Sequence, residues 1–160
     1  MAIKVFANSG GQITYTAEQL CAALHTFSGA ADYIFQGLGN EMAISYSDDS
    51  LIIGVGTGKA VVCGRPTDIY SAEANIELPP NSTINIVLRI DLTRPSGQEG
   101  YITYVTDSQI KSEDINGNGN VHDLVLGKAI TNARGVTSLE DLRKIKNKSG
   151  GLEYEVIGTL

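Results

Sequence analysis

The clearest pattern in the chain is the recurrence of an apolar residue at every second position between residues 83 and 93. The apolar residues of this alternation are Ile84, Ile86, Leu88, Ile90 and Leu92. Successive side chains of a β-strand point to opposite faces, so the alternation predicts a strand over Thr83 to Thr93 with one buried face. Arg89 and Asp91 fall on its polar face.

Other short apolar segments recur along the chain, and residues common in turns separate them. Six of them predict strands at residues 42–47, 51–55, 59–63, 69–78, 100–106 and 121–131. Short strands at this spacing are typical of sandwiches and barrels. We therefore expect a mainly β fold, an antiparallel β-sandwich or barrel-like module. The loop at residues 94–97 indicates that the strand at 83–93 is a hairpin or crossover partner of the strand at 100–106.

The segment around Gly56 and Gly58 admits two interpretations. A phosphate-binding loop would place a glycine and a Ser or Thr where the chain has Ile53 and Ala60, so the motif fails at both positions. The permissive backbone of the glycines instead favours a β-hairpin turn. This interpretation pairs residues 52–55 with residues 59–63.

Helical patterns occur near the start of the chain. Thr16 and Gln19 form a capping-box pattern ahead of apolar residues at helical spacing, which predicts a short helix over residues 17–26. A second apolar stretch, residues 30–38, predicts one or two further helical turns before Gly39.

A C-terminal helix is predicted after residue 136. Thr137 is a candidate cap, and Leu139, Leu142 and Ile145 follow at intervals of three among acidic and then basic residues. Acids at the start and bases at the end of a helix complement its dipole. Two glycines at 150 and 151 then lead into a short predicted strand at residues 152–157.

These elements suggest three consecutive segments within one folded domain. Residues 1–40 form an N-terminal docking segment with the short helix, residues 41–135 a β-rich core module, and residues 136–160 the C-terminal helix and strand. With 160 residues, the chain is long enough to bury a substantial core.

The order of three segments carries a resemblance to a known group of proteins. Residues 55–64 read VGTGKAVVCG, residues 86–92 read IVLRIDL, and residues 120–130 read NVHDLVLGKAI. In this order they resemble the N-terminal region of tail-fibre and baseplate proteins from phages and prophages of Gram-positive bacteria. The resemblance implies a structural component of a baseplate, tail tip or fibre, made in the cytoplasm of the bacterial host and located in the virion tail. It also implies assembly with other tail proteins and a homo-oligomer, as a trimer or hexamer.

A binding module is the alternative function. The chain would then belong to a phage adhesion device and bind host cell-wall polysaccharide or another receptor, with Tyr70, Tyr101 and Tyr104 as the aromatic residues that stack on sugar rings. Tyr101 and Tyr104 have opposite parity, which places them on opposite faces of a regular strand. The absence of Trp also makes a stacking platform less favourable.

Charge and hydropathy exclude two classes of partner. The chain has 12 basic and 18 acidic residues and a net charge of −6, whereas nucleic-acid binding requires a cationic face. No apolar run approaches the roughly 20 residues of a membrane span, and the first residues lack the pattern of a secretory signal. We expect neither nucleic acid nor a membrane span.

An Asn/Gly-rich tract offers a candidate calcium loop. Asp114, Asn116 and Asn118 occupy the first, third and fifth positions of an EF-hand-type pattern, and Gly119 occupies the sixth. The twelfth position, which requires a bidentate carboxylate, is Val125. An ordinary Asn-Gly turn is the alternative interpretation.

No other residues form a catalytic or metal-binding pattern. Cys21 and Cys63 are expected to be buried free thiols, and His25 and His122 lie too far apart in sequence for a recognisable zinc motif. His122 and Asp123 are neighbours on a predicted strand and so point to opposite faces. We expect a protein that is not an enzyme and has no resident cofactor.

Overall fold

The computed structural model describes residues 17–27, 29–70 and 72–146. One helix, α1 (Ala17–Phe27), precedes eleven strands, and a short 3₁₀ helix follows β8 at Asp107–Gln109. The strands are β1 (Tyr33–Gly39), β2 (Ile44–Tyr46), β3 (Ile52–Val55), β4 (Gly58–Val62), β5 (Arg65–Ile69), β6 (Ala74–Glu77), β7 (Thr83–Asp91), β8 (Gly100–Val105), β9 (Val121–Thr131), β10 (Val136–Asp141) and β11 (Ile145–Lys146). No helix in these ranges is long and apolar enough to cross a bilayer.

The strands form three sheets. Sheet I has the order β11-β1-β4-β5, sheet II has the order β2-β3-β6, and sheet III has the order β10-β9-β7-β8. Neighbouring strands are antiparallel except β1 and β11, which are parallel. Sheet I takes strands from all three segments inferred from the sequence. The arrangement is sandwich-like, and no sheet within the described residues closes into a barrel, so the predicted mainly β, antiparallel class is confirmed.

One hydrophobic core lies between the sheets. Its fully buried members include Ile34 of sheet I, Ile53 and Val55 of sheet II, and Ile86 and Leu126 of sheet III. Burying a side chain of this size contributes about 1.5–3 kcal/mol to the free energy of unfolding. The shared core holds the three sheets together.

Strand β7 lies at the centre of sheet III, and both of its faces are covered. Ile86 and Leu88 face the core as the alternation predicts, but Val87 and Asn85 on the opposite face are also buried. The Asn85 side-chain amide donates a 2.7 Å hydrogen bond to the carboxylate of Asp107, at the start of the 3₁₀ helix. The prediction of a single buried face was therefore wrong, because a later segment packs over the second face.

Several other elements occur where the sequence predicted them. Strand β9 has the predicted bounds, Val121–Thr131, and α1 extends one residue beyond the predicted helix. Strands β7 and β8 pair in an antiparallel hairpin across the loop at residues 94–97. The capping residue proposed for α1, Thr16, lies outside the described residues.

The predicted hairpin between β3 and β4 was wrong. Strand β3 pairs with β2 and β6, whereas β4 pairs with β1 and β5. The glycines between them serve close packing rather than a tight turn. A Cβ atom at Gly58 would lie 2.7 Å from the Met42 nitrogen, and one at Gly56 would lie 2.9 Å from the Asn40 Cβ. The Thr57 carbonyl accepts hydrogen bonds from the N–H groups of Asn40 and Met42, which fixes the crossing between the two sheets.

Two shorter predictions also require correction. The stretch at residues 30–38 forms strand β1 rather than helical turns, because Tyr33 and Ile34 pair with Val61 and Ala60 of β4. The single strand predicted at 69–78 is replaced by β5 and β6, which belong to different sheets.

The predicted C-terminal helix was wrong as well. Strand β10 pairs with β9 in a hairpin, and the Asn132 side-chain oxygen accepts hydrogen bonds from the N–H groups of Arg134 and Gly135 in the connecting turn. Leu139 packs against the core from strand β10. An apolar residue at every third position therefore arises here from two short strands and the segment between them. The final strand predicted at 152–157 lies outside the described residues.

Candidate functional site

Four side chains from distant parts of the sequence meet beside α1. They are His25 on α1, Asp32 just before β1, Cys63 in the turn between β4 and β5, and His122 near the start of β9, and we call them the Asp32 cluster. The ligand atoms of His25, Asp32 and Cys63 all lie within 4.8 Å of one another. His122 Nε2 lies 2.6 Å from the Asp32 carboxylate.

The turn between β4 and β5 positions the cluster. Cys63 and Gly64 both have positive φ, +49° and +76°, as a two-residue hairpin turn of this kind requires. A Cβ atom at Gly64 would lie 1.9 Å from the Cys21 carbonyl oxygen and 2.6 Å from the His25 nitrogen. Glycine at this position thus lets the α1 backbone rest directly on the turn, which brings His25 to Cys63.

Cys63 adopts a left-handed conformation that a cysteine rarely takes. The Cys63 N–H donates a 2.7 Å hydrogen bond to Asp32 Oδ1, and the Cys63 carbonyl accepts one of 3.0 Å from the Asn116 side chain. Backbone strain of this kind costs about 1–3 kcal/mol and persists only where the surroundings enforce it. The two hydrogen bonds hold the strained residue and fix the position of its thiol.

His122 is a cation in this arrangement. Its Nδ1–H donates to the Glu113 carbonyl oxygen at 3.0 Å, and its Nε2–H donates to Asp32 Oδ2. The hydrogen bond to Asp32 is the largest cause that raises the pKa of His122 to about 10. Burial alone would raise the pKa of Asp32, but the hydrogen bonds from His122 and from the Cys63 N–H lower it on balance. Asp32 and His122 therefore form an ion pair.

This geometry does not favour nucleophilic catalysis by Cys63. Both ring nitrogens of His122 carry protons directed at oxygen acceptors, so the ring has no lone pair with which to act as a general base. Cys63 is also only 3 % exposed, which keeps a substrate from its sulfur. The neighbouring Asp123 takes no part, because its carboxylate binds Arg89 at 2.7 and 2.8 Å.

The Asn/Gly-rich loop packs behind the same turn. Arg65 donates a 2.7 Å hydrogen bond to the side-chain oxygen of Asn116, and the neighbouring Ile115 enters the core. Asp114 Oδ1 accepts a hydrogen bond from the Asn116 N–H within the loop. Calcium binding at Asp114, Asn116 and Asn118 stays a prediction, with the added condition that the ion competes with Arg65 for the Asn116 oxygen.

The candidate sugar-stacking residues separate into two groups. Tyr70 and Tyr101 line one open groove of about 250 Å³, together with Asp68. Tyr70 is 83 % exposed, and the Arg94 guanidinium lies 4.1 Å from the centroid of the Tyr101 ring. Tyr104 does not line this groove. Two of the three tyrosines therefore share a surface.

Sequence reasoning missed the Asp32 cluster because no local motif contains it. Asp32 lies 31 positions from Cys63 and 90 from His122, and the four residues belong to four different elements. The one local signal was the Cys63-Gly64 pair between two strands, since a residue before Gly in a two-residue turn has positive φ. The two histidines lie too far apart in sequence for a zinc motif, but the folded chain places His25 beside Asp32 and Cys63.

No protein-family model and no curated protein matches this sequence.

Proposed function

We propose that this chain is a structural component of a phage or prophage tail, in the baseplate, tail tip or fibre, and that its function is to assemble with copies of itself and with other tail proteins. The apolar face of α1 is the observation that carries this proposal. The proposed location in the tail rests on the resemblance of three sequence segments to tail-fibre and baseplate proteins.

The apolar face of α1 consists of Leu20, Leu24 and Phe27. These residues recur at intervals of four and three and so lie on one side of the helix. Their side chains are 53 %, 40 % and 88 % exposed. Another side of the helix rests on the turn at Gly64. An amphipathic helix that faces water with apolar residues is a common element of protein interfaces, because association removes that surface from water.

Oligomer mass tests the assembly step. Light scattering on the full chain at increasing concentration should give a mass above that of one chain. A Leu20→Gln, Phe27→Gln double variant should shift the mass toward the monomer, whereas Ile52→Gln, at a residue of similar exposure on β3, should leave it unchanged. A wild-type mass of one chain at every concentration would contradict self-assembly through this face.

Particle composition tests the tail assignment separately. Tail particles purified from the source bacterium after phage induction should contain this chain in a fixed ratio to other tail proteins, as measured by mass spectrometry. Its absence from intact particles would reject the assignment, whatever its oligomeric state.

A binding module remains the second candidate, favoured by the shared groove of Tyr70 and Tyr101. Aromatic rings at an open groove beside a carboxylate such as Asp68 provide stacking and hydrogen-bonding groups for a sugar. Tyr70→Ala should then weaken binding to host cell-wall polysaccharide, and Tyr104→Ala should not. Equal binding by both variants would exclude this groove as the site.

A further inference from the structure

We propose that His25, Asp32 and Cys63 bind a divalent transition-metal ion of the zinc class. The three residues supply one nitrogen, one oxygen and one sulfur ligand, all within 4.8 Å of one another. Zinc bonds of about 2.0–2.3 Å in tetrahedral geometry place ligand atoms about 3–4 Å apart. The separations in the protein are at most 4.8 Å, so a contraction of the side chains would complete the coordination.

The backbone of Cys63 is a second and independent observation in favour of a ligand. The first position of a turn of this type is ordinarily Asn, Asp or Gly, because these residues tolerate positive φ. Cys63 has a φ of +49° there. Another residue would occupy this position with less backbone strain. The presence of cysteine there therefore indicates that its side chain has a function. The side chain in question is a thiol that lies against a histidine and a carboxylate.

The surroundings of Asp32 also suit a ligand. Each carboxylate oxygen accepts one hydrogen bond, from the Cys63 N–H and from His122. A carboxylate oxygen has a further lone pair, so these bonds orient the group without preventing coordination. Hydrogen bonds that orient a ligand are typical around metal ions. The carboxylate of Asp32 and a metal-bound thiolate of Cys63 would together neutralise the charge of a divalent ion.

The ligand types decide which ions suit the site. Thiolate and imidazole favour zinc, cobalt and related ions, whereas calcium and magnesium prefer sites made only of oxygen. Asp32 and His122 line an open groove of about 650 Å³, so an ion would approach the cluster from the side of Asp32. Three protein ligands would leave the fourth position of a tetrahedral ion to water, as in the open type of zinc site.

A bound ion would link α1 to sheet I, whose strands β1 and β4 already pair with each other. His25 belongs to α1, Asp32 precedes β1, and Cys63 follows β4, so the ion would fix α1 against sheet I. This inference does not depend on the proposed function, because it concerns the inner side of α1 and not its apolar face.

Cobalt(II) is the probe for this site. Titration of the reduced full chain with Co²⁺ should show one ion per chain, an ultraviolet charge-transfer band from thiolate to cobalt, and the visible bands of tetrahedral cobalt. One equivalent of Zn²⁺ should remove these bands. An absence of charge-transfer absorption, or binding of cobalt with octahedral spectra alone, would overturn the proposal.

The two cysteines provide a matched pair of variants. Cys63→Ser should lose the charge-transfer band, whereas Cys21→Ser, at the other free thiol of the described chain, should retain it. A band that persists in Cys63→Ser or disappears in Cys21→Ser would contradict the assignment. His25→Gln, a change on the helix rather than within the strained turn, should weaken Co²⁺ binding at least tenfold with an unchanged circular dichroism spectrum. Unchanged Co²⁺ affinity in folded His25→Gln would also contradict it.

Discussion

At the scale of single residues, the ion pair between Arg89 and Asp123 is the most buried charged contact of sheet III. The two residues face each other across β7 and β9, with Arg89 Nε 2.7 Å from Asp123 Oδ1 and a second bond of 2.8 Å. The Lys111 N–H donates a third hydrogen bond to the Asp123 carboxylate at 2.8 Å. The carboxylate is fully removed from water, so it depends on these partners.

Arg89→Met should therefore destabilise the protein strongly. The variant leaves the Asp123 charge buried with only the Lys111 N–H, and breaking a buried pair in this way costs about 3–5 kcal/mol. Urea denaturation would measure the loss. The double variant Arg89→Met, Asp123→Leu should recover part of it, because it removes the uncompensated charge. A single variant within about 0.5 kcal/mol of the wild type would contradict the importance of the pair.

Glu113 provides a pH-dependent contact at the same scale. Its carboxylate accepts hydrogen bonds from the N–H groups of Asn120 and Val121, and these bonds lower the pKa of Glu113 below the ordinary value of 4.5. A group with a lowered pKa stabilises the fold above its ordinary pKa and loses that contribution as the pH falls through the lowered value.

Comparison with Glu113→Gln isolates this contribution. The wild type should be more stable than the variant at neutral pH, and the difference should disappear as the pH falls below the pKa of folded Glu113, since the protonated acid resembles the amide. Denaturation at several pH values would measure the difference, and NMR titration would give the pKa. A difference that is constant with pH would contradict the assignment.

At the scale of elements, the contact between α1 and the turn at Gly64 determines where the helix lies. Gly64→Ala should displace α1, because the added Cβ would meet the Cys21 carbonyl at 1.9 Å and the residue would also keep a φ of +76°. We expect a loss of more than about 1–3 kcal/mol, the cost of backbone strain alone. Gly97→Ala is the control, since Gly97 has a φ of +83° but nothing within 4 Å of the added atom.

Stability and helix exposure would measure this effect in both variants. Gly64→Ala should lose more stability than Gly97→Ala and should increase hydrogen exchange in α1. Equal losses in the two variants would mean that backbone strain explains the whole effect and that the contact with α1 contributes nothing.

The elements also define how far the sequence could predict the fold. Strands β7 and β9 carry their own patterns, an apolar residue at every second position in β7 and a longer apolar-rich segment in β9, so their existence follows from local residues. The pairing partners of β3 and β4 do not follow from local residues, because a glycine-containing connection fits a hairpin as well as a crossing between sheets. The turn at Asn132 lets β10, which contains Leu139, pair with β9. The apolar residues at every third position resembled the pattern of a helix.

The Asp32 cluster could not be predicted for a related reason. Each of its members is an ordinary residue in its own segment, and their proximity results from the packing of α1 against sheet I and of sheet I against sheet III. Contacts over 31 and 90 positions leave no periodic signal in the sequence.

At the scale of the whole molecule, assembly through α1 would make stability depend on concentration. Association stabilises the folded state by mass action, so the melting temperature should rise with protein concentration. Calorimetry over a hundredfold range would measure the rise in the wild type. The Leu20→Gln, Phe27→Gln variant should melt at one temperature throughout the range. A wild-type melting temperature that is independent of concentration would argue against association.

The parallel pairing of β1 and β11 has a consequence for the time at which the fold can be completed. Ile34, near the start of the described chain, pairs with Ile145, near its end. During synthesis β1 emerges before β11, and its edge stays without this neighbour until Ile145 has also left the ribosome. Contacts between such distant residues slow folding, because a long loop must close before they form. We therefore expect a chain that is interrupted before Ile145 to expose the edge of β1 and to aggregate. During translation, this edge is covered only after β11 has been made.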